Sequence, residues 1–423
     1  MTAEMAWSGR WTADRLGIRV VEDDSGPFGI VELAGLAVRR NPNRAHLVVS
    51  QVLGKHVPVA PRRAIAAGRL LAARVADALG EEASAPLVLG FAETATALGH
   101  LVADVFPDAA YLHSTRRPPP SGGPLCRFEE AHSHAAEHML QPEAADWFDR
   151  GSPLILVDDE LTTGQTAAAT IRVLHRSYPR SRYVVAALLD LRGDTDREDL
   201  ADTARELGTR IDVVALGGGR LQAPHDVLER GRQLCKHWEQ PPRPVGAGGA
   251  AVRRLTPPWP SGLPEGGRHG FAWHHRPAYD RMVAEVAQNI HGSGRLLVLG
   301  TEELMYLPLR LADELDRRPE ADVRFSSTTR SPVLPRDDPG YAIRSSLTFT
   351  PPDLEQPDGT ARFAYNLAPG LFDHIVVVVD DKADTTDLWR SSGLVAALQG
   401  LGGEITVVVV PAYSPDRILE AVR

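Results

Sequence analysis

The fold of the first half is decided by one stretch, Leu154-Ile-Leu-Val-Asp-Asp-Glu-Leu-Thr-Thr-Gly-Gln-Thr166, in a chain of 423 residues. Its apolar run predicts a buried strand that ends at Asp158 and Asp159. The turn after them and the alanine-rich segment that follows predict a loop that opens into a helix. Loop amides and the positive end of a helix dipole bind phosphate, and carboxylates accept hydrogen bonds from vicinal hydroxyls. The stretch therefore predicts a site for ribose 5-phosphate.

The composition restricts the class of protein. With 43% apolar and 24% charged residues, the chain is predicted to be globular and, from its length, to have two domains. A net charge of -9 argues against nucleic acid as a main partner, and two cysteines cannot build a disulfide framework. No apolar run is long enough to cross a bilayer, and the N-terminus lacks the pattern of an export signal. We therefore expect a cytoplasmic protein with no membrane partner.

Strand-like and helix-like segments alternate through the first half, which predicts a mostly parallel sheet with helices on both faces. The predicted strands are Leu87–Gly90, Ala110–His113, Leu154–Val157, Tyr183–Leu189 and Ile211–Leu216, and the predicted helices are Arg62–Leu79, Thr94–Val105, Gln165–Ser177 and Glu198–Leu207. Ligands bind at the carboxyl ends of such strands, where Asp158 lies.

Two further motifs follow strands of this sheet. Pro86-Leu-Val-Leu-Gly-Phe-Ala-Glu-Thr94 predicts a second strand and turn, and His113-Ser-Thr-Arg-Arg-Pro118 sets Arg116 and Arg117 at a strand end. Paired guanidinium groups bind pyrophosphate in bidentate fashion. The Gly/Pro-rich stretch after these arginines predicts a mobile lid over the site.

The carboxylate and glycine loop resembles the phosphoribosyl-pyrophosphate (PRPP) loop of type I phosphoribosyltransferases. The resemblance implies that Asp158 and Asp159 face the ribose hydroxyls and that Mg2+ acts with PRPP. The 5-phosphate would then be bound by Thr162, Thr163, Gly164, Gln165 and Thr166, and the pyrophosphate by Gly90, Phe91, Ala92, Glu93, Thr94, Arg116 and Arg117.

Several residues leave alternatives open. Glu160 departs from the family pattern, where an apolar residue is usual, and either adds metal affinity or faces solvent. Glu93 would repel pyrophosphate unless Mg2+ or an arginine intervenes, or it caps its own helix. The motif His134-Ala-Ala-Glu-His138 has a form that some zinc proteases use, but it lacks an evident third ligand, so we predict no zinc site there.

A particular branch is indicated by residues from about Gly35 to Leu221, which resemble the orotate phosphoribosyltransferase-like family of bacterial tellurite-resistance and stress gene clusters. By this resemblance, Arg40, Asn43, Arg44, Lys55 and His56 are candidates for the base pocket or for a neighbouring subunit's site. Between them we predict a helix that packs through Leu47, Val48, Val52 and Leu53. The motif Thr329-Arg-Ser-Pro332 resembles the TRSP domain that follows this transferase. We expect a transferase domain at 1–238, a Pro/Gly-rich linker at 239–267 and a TRSP domain at 268–423.

The second half repeats the motifs of the first in the same order. Leu296-Leu-Val-Leu-Gly-Thr-Glu-Glu-Leu304, Ser327-Thr-Thr-Arg-Ser-Pro332 and Ile375-Val-Val-Val-Val-Asp-Asp-Lys-Ala-Asp-Thr-Thr386 match the three first-half segments. We therefore predict a diverged copy of the same α/β fold, with Asp158 superposed on Asp380. The loop after Asp381 has no glycine, so ordinary PRPP binding is expected to be lost. Arg330, Asp380 and Asp381 either bind another ligand or are structural.

The predicted function is a pentosyltransferase that joins the phosphoribosyl group of PRPP to an unidentified base and releases pyrophosphate. The resemblance implies a role in a nucleotide-like metabolite pathway linked to stress or tellurite resistance, and related enzymes commonly form homodimers. The alternative is a non-catalytic regulatory protein that binds PRPP or a nucleotide.

Overall fold

The protein is described from a computed structural model, which covers residues 6–24, 26–119, 125–129, 137–149, 151–238, 249–352 and 360–415. The helices are α1 Arg10–Leu16, α2 Ile30–Leu33, α3 Pro61–Leu79, α4 Thr96–Ala103, α5 Gln165–Ser177, α6 Asp194–Leu207, α7 Val227–His237, α8 Arg276–Gln288, α9 Tyr306–Leu315, α10 Thr386–Trp389 and α11 Leu394–Gln399. Within these ranges no helix has the length and apolar character needed to cross a membrane.

Two sheets contain most of the strands. The strands of the first half are β1 Arg19–Glu22, β2 Ala34–Asn41, β3 Arg44–Ser50, β4 Leu87–Gly90, β5 Ala110–His113, β6 Cys126–Glu129, β7 Glu137–Leu140, β8 Leu154–Leu161, β9 Arg182–Asp190 and β10 Arg210–Gln222. Those that follow are β11 Val252–Leu255, β12 Phe271–Ala272, β13 Gly294–Gly300, β14 Ala321–Ser327, β15 Ser346–Phe349, β16 Arg362–Tyr365, β17 His374–Asp380 and β18 Glu404–Val410.

The first sheet has seven strands in the order β1-β10-β9-β8-β4-β5-β12. Its five central strands are parallel, and only the edge strands β1 and β12 are antiparallel. All nine residues of β9 are buried, as expected for a central strand that is covered on both faces. The predicted parallel α/β sheet is confirmed, and β4, β5 and α5 have exactly the predicted bounds.

The second sheet is parallel throughout and has the order β11-β18-β17-β13-β14. Four of its strands, in the order β18-β17-β13-β14, correspond to the strands β9-β8-β4-β5 of the first sheet. The position that β10 holds beside β9 in the first sheet is taken in the second sheet by the edge strand β11, which lies within the predicted linker. The second α/β domain is therefore a parallel sheet, as the sequence repeats predict.

Equivalent hydrogen bonds support an internal repeat. The amide of Ser114 donates to Gly90 over 3.0 Å, and the amide of Thr328 donates to Gly300 over 3.0 Å. A hairpin follows β5 in the first half (β6 and β7) and β14 in the second (β15 and β16). Each hairpin exchanges two backbone hydrogen bonds of 2.9 Å with the second residue after the preceding strand, Thr115 or Thr329.

The strand register corrects one detail of the predicted superposition. Gly90 of β4 pairs with Val157 of β8, whereas Leu299 of β13 pairs with Val377 of β17, which sets Gly300 level with the next residue, Val378. Asp159 lies two residues after Val157, and Asp380 lies two residues after Val378. Asp380 therefore corresponds to Asp159 and not to Asp158. The prediction was one residue out because runs of similar apolar residues do not fix a register.

One continuous apolar core joins the two sheets. Val88 and Val157 of the first sheet and Val298 and Val376 of the second belong to the same cluster of buried side chains. Side chains of α3, α4 and α9 fill the space between them, including Leu71, Leu98 and Leu309. The carboxyl ends of the two sheets are thereby held against each other.

The predicted helix between Arg40 and His56 is wrong, because this segment forms the hairpin of β2 and β3. Asn41 pairs with Arg44, and the amide of Asn43 donates to the Asn41 side chain over 2.8 Å, which makes a tight turn. The β-branched pair Val48-Val49 favours a strand. The four residues predicted to pack, Leu47, Val48, Val52 and Leu53, are nevertheless buried.

Candidate functional site

The paired carboxylates lie within β8, which continues past them to Leu161. Asp158 is level with Ala187 on the neighbouring strand β9, and its Oδ1 accepts a hydrogen bond of 3.0 Å from the amide of Asp159. Asp158, Asp159 and Glu160 are all partly exposed, in contrast to the buried apolar residues before them. The strand therefore presents a row of three carboxylates at the sheet edge.

The loop after β8 leads directly into α5. Gly164 has a φ of 77°, a conformation that favours glycine, and α5 begins at the next residue. Thr163 Oγ1 accepts a hydrogen bond of 3.4 Å from the amide of Gln165. Leu161 is buried, whereas Thr162 and Gln165 are exposed and Thr163 and Gly164 partly exposed. A loop that leaves its amides accessible at the start of a 13-residue helix suits a phosphate.

Sequence reasoning missed Arg192, which lies beside this loop. A Cβ added to Gly164 would come within 3.1 Å of Arg192 Cδ. The guanidinium group is buried and donates to both carboxylate oxygens of Asp190, over 2.8 and 2.9 Å. The signal in the sequence was the Asp190-Leu-Arg192 segment, which follows the strand next to β8 in the parallel sheet.

The turn Gly90–Thr94 lies next to the carboxylate strand, because the amide of Phe91 donates to Val157 over 3.0 Å. The Ala92–Glu93 peptide bond is cis, and the amide of Ala92 donates to Ser114 Oγ over 2.9 Å. Phe91, Ala92 and Glu93 are buried and Thr94 is partly exposed. The two loops that the sequence assigns to PRPP are therefore neighbours at one sheet edge.

Glu93 is surrounded by cations from both halves of the chain. Its carboxylate lies 3.2 Å from Lys55 Nζ, 2.8 Å from Arg330 Nε and 3.6 Å from Arg116 Nη1. Burial alone would raise the pKa of Glu93, but Lys55, Arg330 and Arg116 outweigh it and lower the pKa to about 2. Arginines thus supply the compensation that a carboxylate in this turn requires.

The arginines after β5 reach the second half. Glu303 accepts hydrogen bonds from the Arg116 amide over 2.9 Å and from Thr115 Oγ1 over 2.7 Å. Arg117 donates to both carboxylate oxygens of Asp380, and Arg268 lies 3.8 Å from Asp380. The charged side chains that pair with one another where the two halves meet are called the interface cluster here. They are Lys55, Glu93, Arg116, Arg117, Arg268, Glu302, Glu303, Arg330, Arg362 and Asp380.

The candidate residues of the second half are not brought together in one pocket. Arg330 pairs with Glu93 and with Glu302 at 2.8 and 2.9 Å, whereas Asp380 is buried against Arg117. Asp381 accepts a hydrogen bond of 3.1 Å from the amide of Ala412. Arg330 and Asp380 therefore each bind the first half and do not converge on a common ligand.

Residues 120–124 of the Gly/Pro-rich stretch that is predicted to form a lid lie outside the described residues, and the hairpin of β6 and β7 follows them. Of the histidine motif, His132 and His134 lie outside the described residues, while His138 is in β7. Its Nδ1 is 2.9 Å from Ser114 Oγ and its Nε2 is 3.2 Å from Arg116 Nη2. In the part of the chain that the structure describes, no three metal-ligating side chains converge. His138 is thus a neighbour of the Gly90–Thr94 turn.

Acid is expected to weaken the interface cluster. Because the pKa of Glu93 falls from 4.5 to about 2 on folding, its stabilisation is complete above pH 4.5 and is lost as the pH falls towards 2. That contribution is on the order of 3 kcal/mol. Urea unfolding of the wild type and of Glu93→Gln, followed by tryptophan fluorescence at several pH values, measures it. Glu93→Gln should be less stable at neutral pH and less sensitive to acid; equal acid sensitivity would contradict the assignment.

Comparison with known proteins identifies both halves. Residues 33–220 match the family model described as phosphoribosyl transferase, and residues 265–398 match the TRSP domain C-terminal to that family. Residues 33–220 therefore form a domain of this phosphoribosyltransferase family, and the TRSP domain follows it. No curated protein matches the sequence.

Solved structures similar to this chain include adenine phosphoribosyltransferases. That of Rhodothermus marinus is 18% identical, covers 44% of this chain and 95% of its own, and has a TM-score of 0.31. The Giardia lamblia enzyme with 9-deazaadenine is 19% identical over 36% and 79% of the chains, with a TM-score of 0.26. The Trypanosoma brucei enzyme with AMP, pyrophosphate and ribose-5-phosphate is 14% identical over 44% and 77%, with a TM-score of 0.30. The family assignment rests on the family models alone.

Proposed function

We propose that the first half transfers the 5-phosphoribosyl group of PRPP to a nitrogenous base and releases pyrophosphate. The observation that carries this proposal is the register of β4 beside β8, which brings the Gly90–Thr94 turn next to Asp158 and Asp159. In this arrangement the carboxylates hold the ribose hydroxyls, Thr162–Thr166 bind the 5-phosphate, and the turn with Arg116 holds the pyrophosphate. Arg117 is better explained as a link to Asp380 than as a pyrophosphate ligand, because its guanidinium is buried against that carboxylate.

The negative charge of the carboxylate row favours a divalent cation that is bound to PRPP. Burial and the neighbouring carboxylates of Asp159 and Asp158 raise the pKa of Glu160 well above its usual range, and a cation would relieve that repulsion. Mg2+ held with PRPP supplies charge neutralisation on the departing pyrophosphate. Because no three metal-ligating side chains converge among the described residues, Mg2+ would be held mainly by PRPP, with Asp158, Asp159 and Glu160 nearby.

The reaction needs no covalent nucleophile from the protein. The C1–O bond of PRPP breaks and its electron pair leaves with pyrophosphate, and the base nitrogen forms the new C1–N bond with its lone pair. The proton of that nitrogen passes to solvent or pyrophosphate. Asp158 and Asp159 orient the ribose and stabilise positive charge at its ring. By the sequence resemblance, the product would belong to a nucleotide-like metabolite pathway linked to stress or tellurite resistance.

Pyrophosphate release tests the proposal directly. The purified full chain is incubated with PRPP, Mg2+ and a panel of bases, and we expect release that depends on one base or a small group of them. Release without any base would indicate a hydrolase. Binding of PRPP without release for every base would favour the regulatory alternative. Either result would contradict the proposed transfer.

A further inference from the structure

The two halves have arginines at equivalent positions, and each of these arginines contacts a glutamate of the other half. Arg116 follows β5 and Arg330 follows β14, in each case at the third residue beyond the strand. The amide of Arg116 donates to Glu303, and the guanidinium of Arg330 lies 2.8 Å from Glu93. Glu93 and Glu303 are themselves equivalent, since each is the third residue after the glycine that ends its strand, Gly90 or Gly300.

Arg330 is the second half's guanidinium at the Gly90–Thr94 turn. Within the interface cluster its side chain is 18% exposed and that of Arg116 is 17% exposed, whereas those of Lys55 and Arg362 are 1% and 0% exposed. Arg330 therefore keeps an open side while it pairs with Glu93. A guanidinium group suits this place because it stays charged and can serve a carboxylate and a phosphate at once.

Glu93 is negatively charged, so its ion pair with Arg330 affects how strongly the turn repels an anionic ligand. Two like charges about 4 Å apart repel strongly when water is largely excluded. Lys55 is enclosed and also donates to the carbonyl of Glu302 over 3.1 Å, so it is fixed in place by both turns. Arg330 is the partner of Glu93 that the TRSP half provides.

We propose that Arg330 is a positioning residue of the first half's site: it holds and neutralises Glu93 so that the Gly90–Thr94 turn accepts the pyrophosphate of PRPP. The inference rests on the proposed function and deepens it, because the TRSP half then completes the transferase site. The substrate class served by Arg330 is the diphosphate portion of PRPP, or free pyrophosphate, and not the 5-phosphate, which lies at the Thr162–Thr166 loop.

Calorimetric titration of the full chain with three ligands in Mg2+ tests this assignment. Arg330→Gln should weaken PRPP and inorganic pyrophosphate by about 10- to 100-fold and leave ribose 5-phosphate within about twofold. Arg330→Lys, which keeps the charge but loses the planar fork, should recover much of the loss. The matched control is Arg310→Gln, which removes another partly exposed guanidinium of the second half. Arg310 pairs with Asp280 over 2.9 Å and lies outside the interface cluster, so PRPP affinity should stay at the wild-type level.

Each other outcome has a definite meaning. An equal loss for all three ligands, or the same selective loss in Arg310→Gln, would show that Arg330 acts only through the general stability of the fold and would overturn the assignment. Unchanged affinities in Arg330→Gln would overturn it as well. A wild-type chain that binds neither PRPP nor ribose 5-phosphate would overturn the proposed function and this inference with it.

Discussion

Replacement of Asp158 and Asp159 by asparagine should reduce PRPP affinity by about 100-fold or more, because two charge-assisted hydrogen bonds to the ribose hydroxyls are weakened together. Thermal stability should change little, since both carboxylates are partly exposed at the end of β8. Calorimetric titration and thermal unfolding of the same double variant measure the two quantities. The asparagines keep the side-chain size, so the change tests charge and hydrogen bonding.

A matched control is available in the second half. Asp381 is also a partly exposed carboxylate after a central parallel strand, and its oxygen accepts a hydrogen bond from Ala412. Asp381→Asn should leave PRPP affinity at the wild-type level. If the Asp158 and Asp159 double variant bound PRPP like the wild type, the assignment of the PRPP loop would be wrong. If Asp381→Asn lost PRPP binding, the second half would have to hold the substrate.

The second large effect is expected at the Arg117–Asp380 pair. Removal of one partner from a buried ion pair leaves an uncompensated charge and costs about 3–5 kcal/mol. Arg117→Met should therefore destabilise the protein strongly, because its partner Asp380 is only 1% exposed. Burial would raise the pKa of Asp380, and Arg117 and Arg268 instead hold it below its usual range. Chemical unfolding measures the loss.

A double-mutant cycle separates the pair from its surroundings. Arg117→Met combined with Asp380→Leu removes both charges, so that much of the stability lost in each single variant should return. The control pair is Arg295 and Asp373, which is joined over 2.7 Å but is 49% exposed on both sides, and its disruption should cost far less stability because water screens an exposed ion pair. Additive losses for Arg117 and Asp380 would show that the two residues do not stabilise each other.

Local patterns were sufficient for much of the fold. The apolar run and the glycine loop around Asp158 predict β8, the turn and α5, because strand burial and helix initiation depend on neighbouring residues. The same holds for β4 and β5, whose bounds match the prediction. The segment after Arg40 was predicted incorrectly as a helix, because the spacing of its apolar residues fits both a helix and a strand. The turn at Asn41–Arg44 decides for a pair of strands.

The partners of the site residues could not be predicted from local patterns. Glu303 lies 187 residues beyond Arg116, and Asp380 lies 263 residues beyond Arg117. Pairing over such separations depends on how the two sheets pack, which no sequence period records. The one usable signal was the repeat itself: a glutamate three residues after Gly90 and again after Gly300 places both carboxylates at corresponding turns.

Each half pairs its backbone with an edge of the other half's sheet, and this has a consequence for how the chain folds. Phe271–Ala272 adds an edge strand to the first sheet beside β5, while Val59 forms a bridge with Phe325 of the second. Each half thus carries part of the other's boundary. Neither sheet can complete its edges or cover its apolar face until the other is present, so we expect the two halves to acquire their native structure in a single cooperative event.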